Sequence, residues 1–155
     1  MIKKLQIGII LFTFIFVAIH AAISCDECCG DNVLVANAWA RIPKSPSNNT
    51  AIYFNITNYT GKDISLVSVN AKEVTDSAVL HESYVDESGI GRMNHVNKIL
   101  LPHGIEIKFA PQKTHIMLFN LQKKLSAGDR FNLYLNFDNG LSVKTEVLVG
   151  PQPVK

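Results

Sequence analysis

Beyond residue 32 the apolar positions alternate with polar ones at a period of two, the spacing of strands buried on one face. The run from Thr50 to Thr57 is rich in β-branched and aromatic residues, and turn formers from Asn58 to Asp63 close it. Ile64 to Val69 and Ala78 to Ser83 read as two further strands, as do Ile105 to Phe109 and His115 to Phe119. Phe131 to Phe137 alternates cleanly, Asp138-Asn139-Gly140 makes a turn, and Leu141 to Val149 runs back, which predicts a hairpin. The stretch from Gly89 to His95 is bounded by glycine and partly polar, and reads as an exposed loop. No stretch of twelve residues carries a helical apolar stripe, and strands recur every 8 to 14 residues. The expected class is therefore all-β, an antiparallel sandwich or small barrel.

The first residues break this pattern. Lys3 and Lys4 precede an apolar run from Ile7 to Ile19, and small residues follow at Ala21, Ala22 and Ser24. Positive start, apolar centre and small-residue end are the layout of a secretory signal peptide. The run falls short of the roughly 20 apolar residues that span a bilayer comfortably, and an uncleaved anchor is the competing reading. The expected organisation is a signal peptide over 1–24, a Cys-rich tail over 25–32, a β-domain over 33–150 and a C-terminal tail over 151–155. Export to the periplasm follows. Removing the leader changes the charge: of 15 basic residues two are lost, leaving 13 against 13 acidic ones. Nothing basic remains to favour nucleic acid or an anionic membrane surface.

All three cysteines, Cys25, Cys28 and Cys29, sit in one short segment and cannot staple the core. Three readings stay open: a lipid anchor on Cys25, a thiol cluster for a soft metal, or a tail with reactive or locally paired thiols.

The chemistry lies in the β-domain. His115-Ile116-Met117 places an imidazole and a thioether on one face of a strand, with Ile116 on the other. The chain has three methionines, of which Met93 and Met117 lie beyond the leader, and His81 ends the strand Val79-Leu80-His81. Thioethers are soft, neutral donors that select copper(I), and imidazole adds affinity while staying neutral. Two nitrogens and two sulfurs would leave a site of charge +1, which suits copper(I) better than a divalent ion. A blue-copper centre needs a cysteine thiolate beside two histidines, and no cysteine lies in the β-domain. His95 and His103 lie close in sequence to Met93, as supporting ligands or solvated loop residues. Trp39 reads as a core or edge aromatic. There is no Ser-His-Asp order, phosphate loop or His-Glu-x-x-His motif.

His81, one residue, ten residues, Met93, twenty-one residues, then His115-x-Met117 resembles the ligand pattern of the PCuAC family of periplasmic copper chaperones. The segments Ala38-Trp39-Ala40-Arg41, Thr50 to Asn58, and Leu125-Ser126-Ala127-Gly128-Asp129 are similar to that family's opening segment, second strand and final turn. The resemblance implies a cupredoxin-like Greek-key β-sandwich or barrel. It also implies one Cu(I) held by His81, Met93, His115 and Met117, and a carrier rather than an enzyme. The implied acceptor is the copper-A subunit of cytochrome c oxidase or an assembly factor. Two positions depart from the pattern. Glu82 stands where many members have Met, beside the first ligand, and Ala110 to Thr114 replaces the usual Pro-Gly-Gly approach to His115. Two other functions compete. One is an exported structural or adaptor domain with incidental His and Met; the other is a thiol oxidoreductase acting through Cys25 and Cys28.

Overall fold

A computed structural model describes residues 33–44 and 47–151. Ten strands follow in order: β1 (Val33–Ala40), β2 (Thr50–Asn58), β3 (Ile64–Asn70), β4 (Ser77–Val85) and β5 (Gly91–His95), then β6 (Ile99–Leu101), β7 (Glu106–Phe109), β8 (His115–Phe119), β9 (Arg130–Phe137) and β10 (Ser142–Val149). There is no helix among the described residues, and none long and apolar enough to cross a membrane. The expected leader, the Cys-rich tail and most of the C-terminal tail lie outside the described residues.

The strands form one sheet in the order β5-β4-β8-β2-β1-β10-β9-β3-β6, with β7 also paired to β2. Every pairing is antiparallel except that of β1 with β10. The sheet folds over on itself, and β3 lies against β4 although no ladder joins them. Alternation puts Ile52, Phe54 and Ile56 of β2 inside, with Leu80 of β4, Ile116 and Leu118 of β8, and Leu133 and Leu135 of β9. Each such side chain, removed from water, contributes about 1.5 to 3 kcal/mol. Phe54 and Phe109 stack inside this core with centroids 4.3 Å apart.

The same alternation sends the other residues of these strands outward, and near β1 they form a second, smaller cluster of Trp39, Ala51 and Tyr53 with Met117 packed on it. A bulge between Ala36 and Trp39 brings Trp39 opposite Tyr53. Asn37 carries the bulge at φ 55°, a left-handed conformation that Asn tolerates better than most residues.

Two strands escaped the hydrophobic pattern. Gly91 to His95 is strand β5 and not a loop. All five of its residues are exposed, so no alternation marks it. Its pairing comes from the turn before it. The Asp86 carboxylate accepts hydrogen bonds from the amides of Ser88 (3.0 Å) and Ile90 (2.9 Å) and from Nε of Arg92 (2.8 Å). Gly89 adopts φ 77° there, a conformation glycine reaches without a Cβ clash. Strand β6 is only three residues long, too short to show a period. The predicted β9–β10 hairpin forms around Asp138 to Gly140, with Gly140 at φ 84°.

Candidate metal centre

The outward face of β5, β4 and β8 collects the candidate donors. His81 of β4 pairs directly with His115 of β8 on one side and with His95 of β5 on the other. Directly paired residues point to the same face, so three imidazoles form a row across three strands. The His81 ring centroid lies 5.8 Å from that of His115 and 6.2 Å from that of His95, with rings steeply inclined in both pairs.

The methionines flank this row. Met117, two residues beyond His115, pairs with Val79 and with Ala51, which puts it diagonal to His81 on one side. Met93 pairs with Ser83, which puts it diagonal to His81 on the other. The β5 residue directly opposite His81 is therefore His95, not Met93. Met93 is 59% exposed, and the length of its side chain gives it reach across the surface. Met93, His115 and Met117 line one cleft of about 1080 Å³, which His81 and His95 adjoin without lining.

The two central histidines differ in what holds them. His115 is buried, and its Nδ1 lies 2.8 Å from the carbonyl oxygen of Lys113. A carbonyl only accepts, so Nδ1 carries the proton and Nε2 keeps a free lone pair. This is the arrangement that orients a metal-ligating histidine. The Ala110 to Thr114 turn supplies that carbonyl. It closes through amide bonds from Ala110 to Thr114 (2.9 Å) and from Lys113 to Ala110 (3.0 Å), with Gln112 at φ 62°. The altered loop thus still reaches and orients His115.

His81 is the reverse case. Its Nδ1 is buried yet has no hydrogen-bond partner among the described residues. Buried polar atoms are satisfied in about nine cases of ten, so an orphaned imidazole nitrogen beside another histidine fits a ligand position. Burial, then the nearby His115 and His95, hold the pKa of His81 below the ordinary imidazole value. A neutral ring is the form that binds metal.

The surroundings are soft and carry no acid. Trp39 and Tyr53 pack with centroids 4.7 Å apart, and Tyr53 lies 6.2 Å from His115. Burial raises the Tyr53 pKa, partly offset by Arg41, whose guanidinium sits 6.0 Å above the ring, so the hydroxyl stays protonated. No carboxylate lines the cleft, while Arg41, Lys44 and Arg92 do. Neutral nitrogen and sulfur donors inside a basic rim suit a monovalent ion better than a divalent one. Among the described residues no three His, Cys, Asp or Glu side chains already converge as a ready-made cage, so any ion held here draws on the methionines or on movement of an exposed ligand.

Three other residues resolve differently. Glu82 pairs with Asn94 and alternates to the face opposite His81, which takes its carboxylate away from the donors. His103 lies at the far end of β2, where its Nδ1 accepts a bond from the Gly61 amide (3.1 Å) and its own amide donates to Asp63 (2.9 Å). It is a structural residue. Of the two readings open for these histidines, the exposed loop residue holds for His103, whereas His95 lies on the donor face.

Comparison with known proteins gives the same fold. The profile described as "Putative lipoprotein LpqE-like" matches residues 33–149. "Uncharacterized protein RP573" of Rickettsia prowazekii (strain Madrid E) is 29% identical over 93 residues, 59% of this chain and 50% of that protein. "Putative lipoprotein Lxx21020" of Leifsonia xyli subsp. xyli (strain CTCB07) is 31% identical over 111 residues, 71% of this chain and 64% of that protein. The matches thus span half to just under two thirds of these relatives' length. Among solved structures, the apo PCuAC domain from PmoF1 superimposes with a TM-score of 0.65 at 24% identity, covering 76% of this chain and 92% of that one. The copper-bound PCuAC domain from PmoF2 gives 0.62 at 19% identity, covering 76% and 91%. The copper(I) form of DR1885 from Deinococcus radiodurans gives 0.65 at 20%, covering 87% and 88%. At these identities the likeness to the solved structures is one of fold. With its profile matched from residue 33 to residue 149, the chain belongs to the LpqE-like family and has the cupredoxin-like β fold of PCuAC domains.

Proposed function

We propose that this chain is an exported copper(I) carrier that binds one ion through His81, Met93, His115 and Met117 and passes it to an acceptor protein. The observation that carries the reading is the pairing of His81 with His115. One imidazole is oriented by a backbone carbonyl and the other keeps a buried nitrogen without a partner. Met117 lies on the same face beside them, and Met93 shares the cleft with His115 and Met117. The solved structures of copper-bound PmoF2 and of the copper(I) form of DR1885 support copper as the cargo.

The geometry suits transfer rather than retention. The cleft opens to solvent and Met93 is largely exposed, so an acceptor's ligands can replace one donor at a time. The acceptor we propose is the copper-A centre of cytochrome c oxidase, as the PCuAC resemblance implies. The family's lipoprotein description fits an exported protein.

The test removes the thiols first. In a full chain with Cys25, Cys28 and Cys29 replaced by Ser, copper(I) is titrated against a chelator under reducing conditions. One tight equivalent is expected, and Met93→Leu with Met117→Leu should weaken it by more than a hundredfold. Unchanged affinity in that double variant would remove the assignment. Transfer is then followed by incubating the loaded chain with the apo copper-A domain and watching that domain acquire copper. No transfer sinks the acceptor while leaving the site.

A further inference from the structure

We propose that His95, His81 and His115 form an all-imidazole position that holds copper(II), overlapping the copper(I) site through His81 and His115 but independent of the methionines. It deepens the carrier reading by sharing two of its residues, yet it stands on a different observation: the register of β5 on β4.

That register makes His95, and not Met93, the direct partner of His81. Three imidazoles lie side by side on adjacent strands, and His81 is the middle one. Imidazole nitrogens bind such ions at about 2.0 Å, so two rings sharing one ion have centroids roughly 4.5 to 6.5 Å apart. The two neighbouring separations here, 5.8 Å and 6.2 Å, fall inside that window. His115 and His95, by contrast, stand two strand spacings, about 9.5 Å, apart along the backbone, so the set closes only when the His95 ring swings inward over His81. The outer residue has room to adjust, because His95 is exposed and ends an edge strand. The middle residue brings a buried nitrogen without a partner among the described residues.

Donor chemistry then sorts the ions. Three neutral nitrogens with no sulfur favour divalent copper, which heads the first-row affinity order ahead of zinc. The thioethers of Met93 and Met117 favour copper(I). His81 and His95 adjoin the basic cleft without lining it. Of the basic residues on the rim, Arg92 is paired with Asp86 at 2.8 Å, which lowers the repulsion a divalent ion would meet. One protein face thus offers two overlapping ligand sets, and occupancy by one excludes the other.

The experiment uses the full chain with its three cysteines replaced by Ser, titrated with copper(II) alone near pH 7.5 and read by electron paramagnetic resonance. The expected spectrum shows coupling to three imidazole nitrogens at one equivalent of copper. His95→Gln should reduce this to two and weaken copper(II) binding about tenfold or more, while changing copper(I) affinity less than threefold. Met93→Leu with Met117→Leu should leave the copper(II) spectrum as it was. Circular dichroism of each variant checks that the fold persists, which the exposure of His95 favours. An unchanged nitrogen count and affinity in His95→Gln would overturn the proposal, and so would a copper(II) signal that the methionine variant abolishes. If copper(I) affinity survives loss of both methionines while copper(II) binding still needs His95, the carrier site fails and the imidazole position stands.

Discussion

The two ends of β2 treat buried polar groups in opposite ways. At its C-terminal end Asn58 is fully buried and fully satisfied. Its amide donates to the carbonyls of Lys62 (2.7 Å) and Leu101 (2.8 Å), and its Oδ1 accepts from the amide (2.9 Å) and hydroxyl (2.8 Å) of Thr60. His103 beside it is exposed, and its Nδ1 and backbone amide are bonded to Gly61 and Asp63. Near the N-terminal end, across β8, His81 holds a buried nitrogen with no partner among the described residues. A fold that makes four hydrogen bonds to the side chain of one asparagine can satisfy one nitrogen of a histidine. The difference separates polar residues that hold the structure from one left open to a ligand. It also separates His81 from His103, which composition alone treats alike.

Breaking the satisfied end should have the largest effect on stability. Asn58→Ala strands two carbonyls and an amide, and each unsatisfied buried group costs about 1 to 3 kcal/mol. Urea unfolding should show a loss of about 3 kcal/mol, with copper(I) affinity per folded molecule unchanged. A change in affinity would mean that the two ends are coupled and that the contrast is false.

The mirror experiment replaces the unsatisfied group. His81→Leu should weaken copper(I) binding about a hundredfold. It should leave the stability of the metal-free chain within about 1 kcal/mol, because removing an unpaired buried polar group offsets the lost packing. A large loss of stability would show that His81 is a structural residue like Asn58.

Acid sharpens the same contrast by a smaller amount. The folded pKa of His81 is held below the ordinary 6.5 by burial and by His115 and His95. Between that lowered value and 6.5 the unfolded chain binds more protons than the folded one, so stability rises with pH across the window. The contribution is therefore full above pH 6.5 and is lost as pH falls toward the folded pKa. Metal-free wild type should be measurably less stable to urea at pH 5 than at pH 7.5, and His81→Leu should flatten that slope. An equal slope in the variant would assign it to other groups.

β9 and β10 were legible because one buried face imposes a period of two, whereas β2, buried on both faces, was legible from its β-branched and aromatic content. His115 and Met117 were legible as a pair because strand alternation is local. The pairing of His81 with His95 was not, because register is set by contacts between strands and β5 has no buried face to fix it in advance. The burial of Nδ1 of His81 was hidden for the same reason. Glu82 looked like a neighbour of the site in sequence, and alternation alone was enough to turn it away.

Register in β5 rests on the turn that precedes it, and that turn gives the smallest and most local test. Asp86 accepts bonds from two amides of the turn and from Arg92, and chiefly Arg92 holds its carboxyl below the usual carboxylate range. Asp86→Asn weakens the ion pair and makes one oxygen position a donor. Because the residue sits at the surface, global stability should barely move. Local pairing should respond instead, since edge strands open by themselves at little free-energy cost. Amides of β5 should exchange with solvent a fewfold faster, while those of β2 and β9 keep their protection. Because β5 carries both His95 and Met93, copper(II) binding through the first and copper(I) binding through the second should each weaken in step with β5 protection. Binding of either ion that ignores the loss of β5 protection would remove the β5 residue from that ion's ligand set.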